Sequence, residues 1–324
     1  MRKILRTTLW SAAGLIAAGV ALIGYFLYSP QAAAPRLSGT LTLGHIEVGG
    51  LSRTYRIYVP KGLAKSAPLV VAMHGSGENG ARMRIATGYG FDRLADKDGF
   101  AVVYPDGYEG YWNGCNIVGD YSANTLNIDD VGFLTRLVDK LASEIGIDHS
   151  HVFAMGVSRG GSMALRLAIE APSRFRAVAS VSDSVPTPAN FKCRPKGHGT
   201  SSVMIMNGTD DPIVPFDGGE VSLFGLFIKR GAVLSAHASG QYFADLNHIA
   251  DRPRTRETPV SGDVQVERVL WHNESKVEVE LVAVHGGGHG LPQPYQRHPR
   301  LLGPSPDAPN GPAVIWDFFE RQQD

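Results

Sequence analysis

The sequence predicts one α/β domain built on a doubly wound, mostly parallel sheet, preceded by an N-terminal membrane helix. Three observations lead to this prediction. Two strand-like runs, Leu41–Val48 and Tyr55–Val59, come first and suggest an antiparallel pair. Later runs such as Leu69–Met73 and Val152–Val157 are continuously apolar, as strands buried on both faces of a parallel sheet must be. Helical patterns lie between these runs, and this alternation is typical of a doubly wound sheet.

The N-terminal segment is apolar and follows a short basic stretch. Three basic residues lie within the first six positions, and Leu9–Tyr28 then covers 20 residues that are almost wholly apolar. A helix of that length spans the hydrocarbon layer of a membrane, and the basic flank orients the N-terminus toward the cytoplasm. We therefore expect residues 1–35 to form a signal anchor and residues 36–324 to form an exported domain on the periplasmic or extracellular side. Cleavage near the alanines at 32–34 would instead release a secreted protein.

The remaining elements follow in chain order. Further strands are predicted at Ala101–Tyr104, Ala177–Val181, Val203–Met206, Val264–Leu270 and Val277–Val284. The clearest helix covers residues 131–145, where one apolar stripe is preceded by two aspartates and followed by Gly146. A second helix runs from about Gly160 to Glu170. The segment Pro292–Pro312 has seven prolines in 21 residues, which predicts a long ordered loop or lid.

Composition excludes several classes of protein. The chain has 324 residues with 31 Lys+Arg and 31 Asp+Glu, so it lacks the basic surplus of a nucleic-acid-binding protein. No group of Cys and His residues has the spacing of a zinc site, and no Gly-Lys-Ser/Thr sequence follows the early glycine loop. We therefore expect no metal, no cofactor and no nucleic-acid partner. The sequence leaves the oligomeric state open.

One pentapeptide has the pattern of a nucleophilic serine at a sharp turn. Gly156-Val157-Ser158-Arg159-Gly160 matches G-x-S-x-G, and it lies between a predicted strand and a predicted helix. The glycines let the backbone turn sharply without Cβ clashes, which lifts the serine hydroxyl above the sheet at a helix N-terminus. Ser158 is therefore the candidate nucleophile. The alternative is a serine that only caps the helix.

A serine nucleophile needs a base, and the base needs a carboxylate to orient it. One predicted strand runs into a loop containing Asp210 and Asp211, and the last predicted strand runs into a glycine loop containing His285 and His289. The order Ser158, Asp211, His289 is the chain order of α/β-hydrolases, with each residue just beyond a strand. Asp210 and His285 stay open as alternatives on this reasoning.

Backbone amides and aromatic side chains complete the predicted site. The oxyanion that develops when a serine attacks a carbonyl group needs two donors. We expect these to be the N–H of Arg159, directly after the nucleophile, and the N–H of Ser76, in the glycine loop after an early strand. Tyr108, Tyr111 and Trp112 lie in one loop that either presents an aromatic surface to the substrate or anchors the loop in the core.

A set of motifs in a fixed order suggests a family. These motifs are Arg53–Pro60, His74-Gly75, Tyr104–Gly107 with Trp112-Asn113, Asp129–Phe133, Gly156–Ala164, Gly208–Pro215, Gly286–His289 and Ile315–Phe319. Together they resemble the esterase/poly(3-hydroxybutyrate) depolymerase family, which includes secreted feruloyl and acetylxylan esterases. The resemblance covers about residues 39–321. It implies an α/β-hydrolase fold and an ester substrate.

The resemblance also implies roles for particular residues. Asp211 corresponds to the acid because it precedes the proline of the Gly-Thr-x-Asp-Pro motif, and His289 corresponds to the base because it follows three glycines. Cys115 and Cys193 fall where family members carry cysteine, which implies a disulfide between them. The chain departs from the family after the histidine, where residues 290–292 read Gly-Leu-Pro in place of an aromatic pair or Thr-Trp-Pro.

These observations predict an exported serine esterase that resembles poly(3-hydroxybutyrate) depolymerases and acts through an acyl-enzyme. A feruloyl- or acetylxylan-type esterase and an acyltransferase are the alternatives among enzymes, because the same three residues serve each of them. An alternative of a different class is a non-catalytic binding module on a retained hydrolase scaffold. The expected partners are a small or oligomeric ester and, through the N-terminal helix, a membrane.

Overall fold

The structure is a computed structural model. It describes residues 2–196, 199–223, 225–227, 229–261, 264–272 and 276–323, with the backbone alone at 2–14 and 258–261. The described strands are β1 (Thr40–Val48), β2 (Leu51–Val59), β3 (Ala67–Met73), β4 (Ala101–Pro105), β5 (Ile147–Val157), β6 (Ala177–Val181), β7 (Ser202–Gly208), β8 (Gly219–Glu220), β9 (Ala232–Val233), β10 (Arg254–Ser261), β11 (Val264–His272) and β12 (Glu278–Val284). The described helices are α1 (Arg2–Leu27), α2 (Gly80–Ala86), α3 (Gly90–Asp98), α4 (Ser122–Thr125), α5 (Asp130–Ile145), α6 (Arg159–Glu170), α7 (Ala236–Leu246) and α8 (Gly311–Glu320).

A single large sheet organises the described part of the chain. Ten of its strands pair in the order β1-β2-β4-β3-β5-β6-β7-β12-β11-β10. The six strands from β4 to β12 in this order run parallel, and antiparallel pairs extend the sheet at both ends. In an open sheet of this kind, ligands bind beyond the carboxyl ends of the parallel strands. The predicted doubly wound α/β architecture is confirmed.

Helices cover both faces of the sheet, so the core has two layers. One layer contains Leu134 of α5, Leu167 of α6 and Phe243 of α7. The other layer contains Phe91 of α3 and Trp316 of α8. The central strands are buried on both faces, which explains why their sequences are continuously apolar.

The clearest predicted helix is present with its predicted ends. The Asp129 side chain accepts a hydrogen bond from the Gly132 N–H at the start of α5, and Gly146 ends the helix. Leu134, Val138 and Leu141 of the apolar stripe are buried. The stripe therefore packs α5 on the sheet, as its 3.6-residue period predicts.

The segment between residues 292 and 310 has no α-helix or sheet strand. It contains one 3₁₀ turn, Arg300–Leu302, and α8 begins directly after it. The N-terminal stretch contacts this segment, because the Ala32 N–H donates to Gln296 Oε1 at 2.5 Å and the Arg300 guanidinium lies 4.3 Å from the centre of the Tyr25 ring. The long ordered loop predicted here is therefore present, with the N-terminal stretch against it.

Within the described residues, no helix combines the length and apolar character needed to cross a membrane. The predicted membrane helix therefore has no support in the structure.

Candidate active site

Ser158 lies at the turn between β5 and α6, in a backbone conformation that non-glycine residues rarely adopt. Its φ is 54° and its ψ is −118°. The flanking glycines allow this turn because they have no Cβ, so other backbone segments can approach them closely. A Cβ on Gly156 would lie 2.1 Å from the carbonyl carbon of Gly160, and one on Gly160 would lie 2.3 Å from the carbonyl oxygen of Met73. Larger residues at these two positions would therefore force α6 away from the sheet.

The Ser158 side chain faces an open cleft. The cleft is also lined by Ser76, Arg159 and Asp183. The Ser158 hydroxyl has no hydrogen-bond partner among the described residues. An unpartnered hydroxyl at the mouth of a cleft is free to meet a bound substrate.

Asp211 and His289 form a buried pair. His289 Nδ1 lies 2.8 Å from Asp211 Oδ2, and the two side chains are 6% and 1% exposed. The other carboxylate oxygen of Asp211 accepts hydrogen bonds from the N–H groups of Ile213 and Val214, at 2.8 Å and 2.9 Å. A carboxylate at Nδ1 favours the tautomer with its proton on Nδ1, which leaves Nε2 free to accept a proton.

The two alternative residues lie apart from this pair. Asp210 is exposed, and its backbone N–H donates to the carbonyl oxygen of Gly287 at 2.9 Å. His285 is also exposed, and its backbone N–H donates to the carbonyl oxygen of Gln265 at 3.0 Å. The structure therefore pairs Asp211 with His289. Neither Asp210 nor His285 forms an acid–histidine pair among the described residues.

The nucleophile turn and the histidine loop flank the end of the same strand. The Ser158 N–H donates to the carbonyl oxygen of Val181, the last residue of β6, at 2.8 Å. The Gly290 N–H donates to Oγ of the next residue, Ser182, at 2.9 Å. No hydrogen bond joins Ser158 to His289 among the described residues. Catalytic hydrogen bonds of this kind often tighten only in a complex with substrate.

The loop after β3 lies beside the nucleophile. A Cβ on Gly75 would lie 3.8 Å from the Ser158 Cβ, so Ser76 follows at the edge of the cleft. The backbone N–H groups of Ser76 and Arg159 donate to no other group in the described part of the chain. An oxyanion needs two such donors, and the oxyanion role of Ser76 and Arg159 stays a prediction.

Trp112 is a structural anchor rather than a substrate contact. Its side chain is fully buried, and its Nε1–H donates to the carbonyl oxygen of His74 at 3.1 Å. His74 is itself buried, which lowers its pKa, and its Nε2 accepts a hydrogen bond from the Gly107 N–H at 2.9 Å. A substrate-facing role for Trp112 is therefore wrong. Its indole instead supports the loop that carries Ser76.

Tyr108 and Tyr111 are half-buried in the same loop. The Tyr111 N–H donates to the carbonyl oxygen of Tyr108 at 3.0 Å, which closes a tight turn. The Tyr111 ring stacks on Tyr121 with 5.2 Å between the ring centres. Tyr111 thus lies beside the cleft, and a contact with substrate stays a prediction for both tyrosines.

Cys115 and Cys193 are joined in a disulfide. Beside it, the Lys192 N–H donates to the carbonyl oxygen of Cys115 at 2.8 Å, and Asn116 forms a β-bridge with Phe191. The disulfide therefore ties the loop carrying Asn116, a residue of the cleft wall, to the segment before β7.

Replacing both cysteines by alanine should lower the free energy of unfolding by about 4 kcal/mol, because the bond closes a sequence separation of 78 residues and restricts the unfolded chain. Urea unfolding of the wild type with and without reductant measures the effect, and the double variant should be insensitive to reductant. Identical wild-type curves under both conditions would contradict this prediction.

Asp183 is a cleft residue that the sequence reasoning missed. It follows β6 by two residues, its side chain is buried, and its Oδ1 accepts a hydrogen bond from the Ser184 N–H at 2.8 Å. Burial raises the pKa of Asp183 to about 6, against the opposing effect of the Arg159 charge. Its position beyond the carboxyl end of a parallel strand is the signal that could have identified it.

Asp183 should make the fold less stable as the pH rises from about 4 to 6. The raised pKa means that the folded state binds more protons than the unfolded state in this interval, so the free energy of unfolding falls there. Asp183→Asn should remove this effect. The free energy of unfolding of the variant minus that of the wild type should therefore be larger at pH 7 than at pH 4, by up to about 3 kcal/mol. Denaturant unfolding at both pH values measures the change, with the exposed Asp210→Asn as control. A difference from wild type that is constant with pH would refute the assignment.

No group of three or more His, Cys, Asp or Glu side chains with the geometry of a metal site occurs among the described residues.

The fold and this arrangement of residues define an α/β-hydrolase. The chain matches the family described as esterase PHB depolymerase over residues 53–217. It is 30% identical over 276 residues to NocK of Nocardia uniformis subsp. tsuyamanensis, which is named as an esterase. The match covers 82% of this chain and 78% of that protein. It is 29% identical over 286 residues to feruloyl esterase C of Emericella nidulans, covering 86% and 87% of the two chains. The chain belongs to the esterase PHB depolymerase family.

The fold also resembles a solved structure. The acetyl xylan esterase from Aspergillus awamori superimposes with a TM-score of 0.53 over 77% of this chain and 94% of that one, at 19% sequence identity. At this identity the likeness concerns the fold alone.

Proposed function

We propose that this chain is a serine esterase in which Ser158 is the nucleophile, His289 the general base and Asp211 the residue that orients the base. The observation that carries the proposal is the 2.8 Å contact between His289 Nδ1 and Asp211 Oδ2, on a loop flanking the same strand end as Ser158. The unpartnered hydroxyl of Ser158 and its strained turn support the nucleophile assignment.

The proposed reaction follows from these positions. Ser158 Oγ forms a bond to the ester carbonyl carbon while His289 Nε2 takes the hydroxyl proton. The negative charge that develops on the carbonyl oxygen is stabilised by the N–H groups of Ser76 and Arg159. The intermediate collapses as His289 returns the proton to the leaving alcohol. Water then attacks the acyl-enzyme with the same base, which releases the carboxylic acid and restores Ser158.

The substrate is proposed to be a carboxylic ester of the kinds named for the family and its relatives. Hydroxyalkanoate, feruloyl and acetyl esters are the three classes to compare, with a hydroxyalkanoate ester first. A role in binding alone does not account for a buried acid–histidine pair and an unpartnered serine hydroxyl on loops that flank the same strand end.

Hydrolysis assays on the purified full chain test this proposal. We expect release of p-nitrophenol from p-nitrophenyl acetate and butyrate, and a panel of 3-hydroxybutyrate dimer, methyl ferulate and acetylated xylan would then rank the substrate classes. Absence of hydrolysis with every ester by a folded protein would refute the esterase assignment.

We also propose that the chain is exported, with residues 1–35 as a targeting segment and residues 36–324 as the esterase domain. The basic and apolar N-terminus supports export, and so does the disulfide between Cys115 and Cys193, since disulfides persist in oxidising compartments. Fractionation of expressing cells should place the protein outside the cytoplasm with both cysteines blocked to thiol reagents. Cytoplasmic protein with two free thiols would refute export.

A further inference from the structure

Two arginine side chains line the cleft beside Ser158. Arg159 is the first residue of α6, and Arg230 lies in the segment just before β9. Arg159 is 6% exposed and the side chain of Arg230 is 12% exposed. Guanidinium groups remain charged under all ordinary conditions, so the cleft carries two partly desolvated cations.

Arg159 forms no direct ion pair in the described part of the chain, although the Asp183 carboxylate is near enough to interact with its charge. Its Nη2 donates to Asn116 Oδ1 at 2.6 Å and to the hydroxyl of Ser162, which are both neutral acceptors. Its Nε–H has no acceptor among the residues that the structure describes. A buried cation without an ion pair is expensive, and an unsatisfied charged donor adds to this cost.

Arg230 is only weakly compensated. Its Nη1 lies 3.4 Å from a carboxylate oxygen of Asp120, whose side chain is fully exposed to water. Both guanidinium groups face the ring of Tyr121, with Arg230 at 4.4 Å and Arg159 at 5.3 Å from its centre. Burial and the nearby charge of Arg159 lower the pKa of Arg230. The two cations therefore lie close enough to repel each other beside one aromatic ring.

The cleft wall also has an apolar side. Ile213, Val214, Val221 and Val233 form one side of the cleft and pack together. Asp183 is the one carboxylate among the described lining residues, and its Oδ1 is engaged by the Ser184 N–H. Two guanidinium groups and one carboxylate leave the wall one positive charge in excess. That charge matches a single anionic group on a short apolar chain.

We propose that the ester cleaved at Ser158 carries an ionised carboxylate, bound by Arg159 and Arg230, with its aliphatic chain against the apolar side of the cleft. This inference rests on the proposed serine-esterase function and narrows it to esters whose acyl chain ends in a free carboxylate, such as half-esters of dicarboxylic acids. Arginine binds the planar carboxylate through paired N–H donors. A doubly charged phosphate would exceed the available positive charge and be repelled by Asp183.

A matched pair of chromogenic esters tests the proposal on the full chain. Mono-p-nitrophenyl adipate has a free carboxylate, and methyl p-nitrophenyl adipate has the same acyl chain without the charge. We expect the wild type to favour the free acid in kcat/KM by about tenfold or more, since hydrogen bonds between charged groups discriminate by at least that factor. The preference should weaken as ionic strength rises.

Variants connect the preference to the arginines. Arg230→Gln, and separately Arg159→Gln, should reduce the ratio of the two kcat/KM values about tenfold. Arg136→Gln removes the same charge from the exposed face of α5 and should leave the ratio unchanged. A wild type that favours the methyl ester, or arginine variants that keep the wild-type ratio, would overturn the proposal. In either case hydrolysis of the neutral ester would leave the serine-esterase function standing, whereas failure to hydrolyse both esters would refute that function.

Discussion

Replacing Ser158 by alanine should lower kcat for an activated ester by at least about 10⁴-fold, because the acyl-enzyme can no longer form and the remaining members of a catalytic triad do not act independently. The fold should persist, since the Ser158 hydroxyl has no hydrogen-bond partner to lose among the described residues. Release of p-nitrophenol from p-nitrophenyl butyrate measures the rate. Circular dichroism and the thermal midpoint establish that the variant is folded.

Ser76→Ala is the matched control for this loss. Ser76 is proposed to act through its backbone N–H, and its side chain is exposed at the edge of the cleft. Its alanine variant should therefore retain kcat within a few-fold of wild type, because the N–H is unchanged. Full turnover by a folded Ser158→Ala protein would remove this serine from the mechanism, and a dead Ser76→Ala protein would contradict a purely backbone role.

Asp211→Asn and His289→Ala should each lower kcat by at least about 10³-fold. Asparagine at position 211 cannot accept the Nδ1–H and stabilise the imidazolium as a carboxylate does, even though it keeps the shape of the side chain. Alanine at position 289 removes the base itself. Steady-state kinetics with p-nitrophenyl butyrate, together with denaturant unfolding, separate a catalytic loss from a loss of stability.

The neighbouring residues provide controls with the same chemistry. Asp210 and His285 are exposed and interact mainly through their backbones, so Asp210→Asn and His285→Ala should change kcat by less than about threefold. If His285→Ala abolished activity while His289→Ala did not, the assignment of the glycine loop would be wrong. The same pattern at the two aspartates would reassign the acid.

Much of the fold could be predicted because its central strands are easy to recognise in the sequence. The central parallel strands are buried on both faces, and their uninterrupted apolar runs mark them in the sequence. The edge strand β10 was missed because it reads Arg-Thr-Arg-Glu-Thr-Pro from position 254, without apolar alternation. Only its pairing with β11 identifies it as a strand.

In the candidate site, too, residues that lie in short sequence motifs could be predicted, whereas residues that only the folded chain brings together could not. Ser158 directly follows β5, and Asp211 and His289 lie in the loops that follow β7 and β12. Each lies in a short motif, so their positions could be predicted. Arg230 lies in no motif, and only the folded chain places it beside Arg159. The role of Trp112 was ambiguous because the sequence of a loop does not show whether an aromatic side chain faces the substrate or the core.

The backbone of Ser158 has a consequence for any attempt to make this protein more robust. A serine at φ 54° and ψ −118° carries strain of about 1–3 kcal/mol, which the surrounding structure must offset. Glycine would adopt the same conformation without that strain, so Ser158→Gly would emerge from a screen for thermal resistance as an improvement. Laboratory selection for robustness alone would thus favour the loss of the proposed nucleophile, and it has to be coupled to turnover.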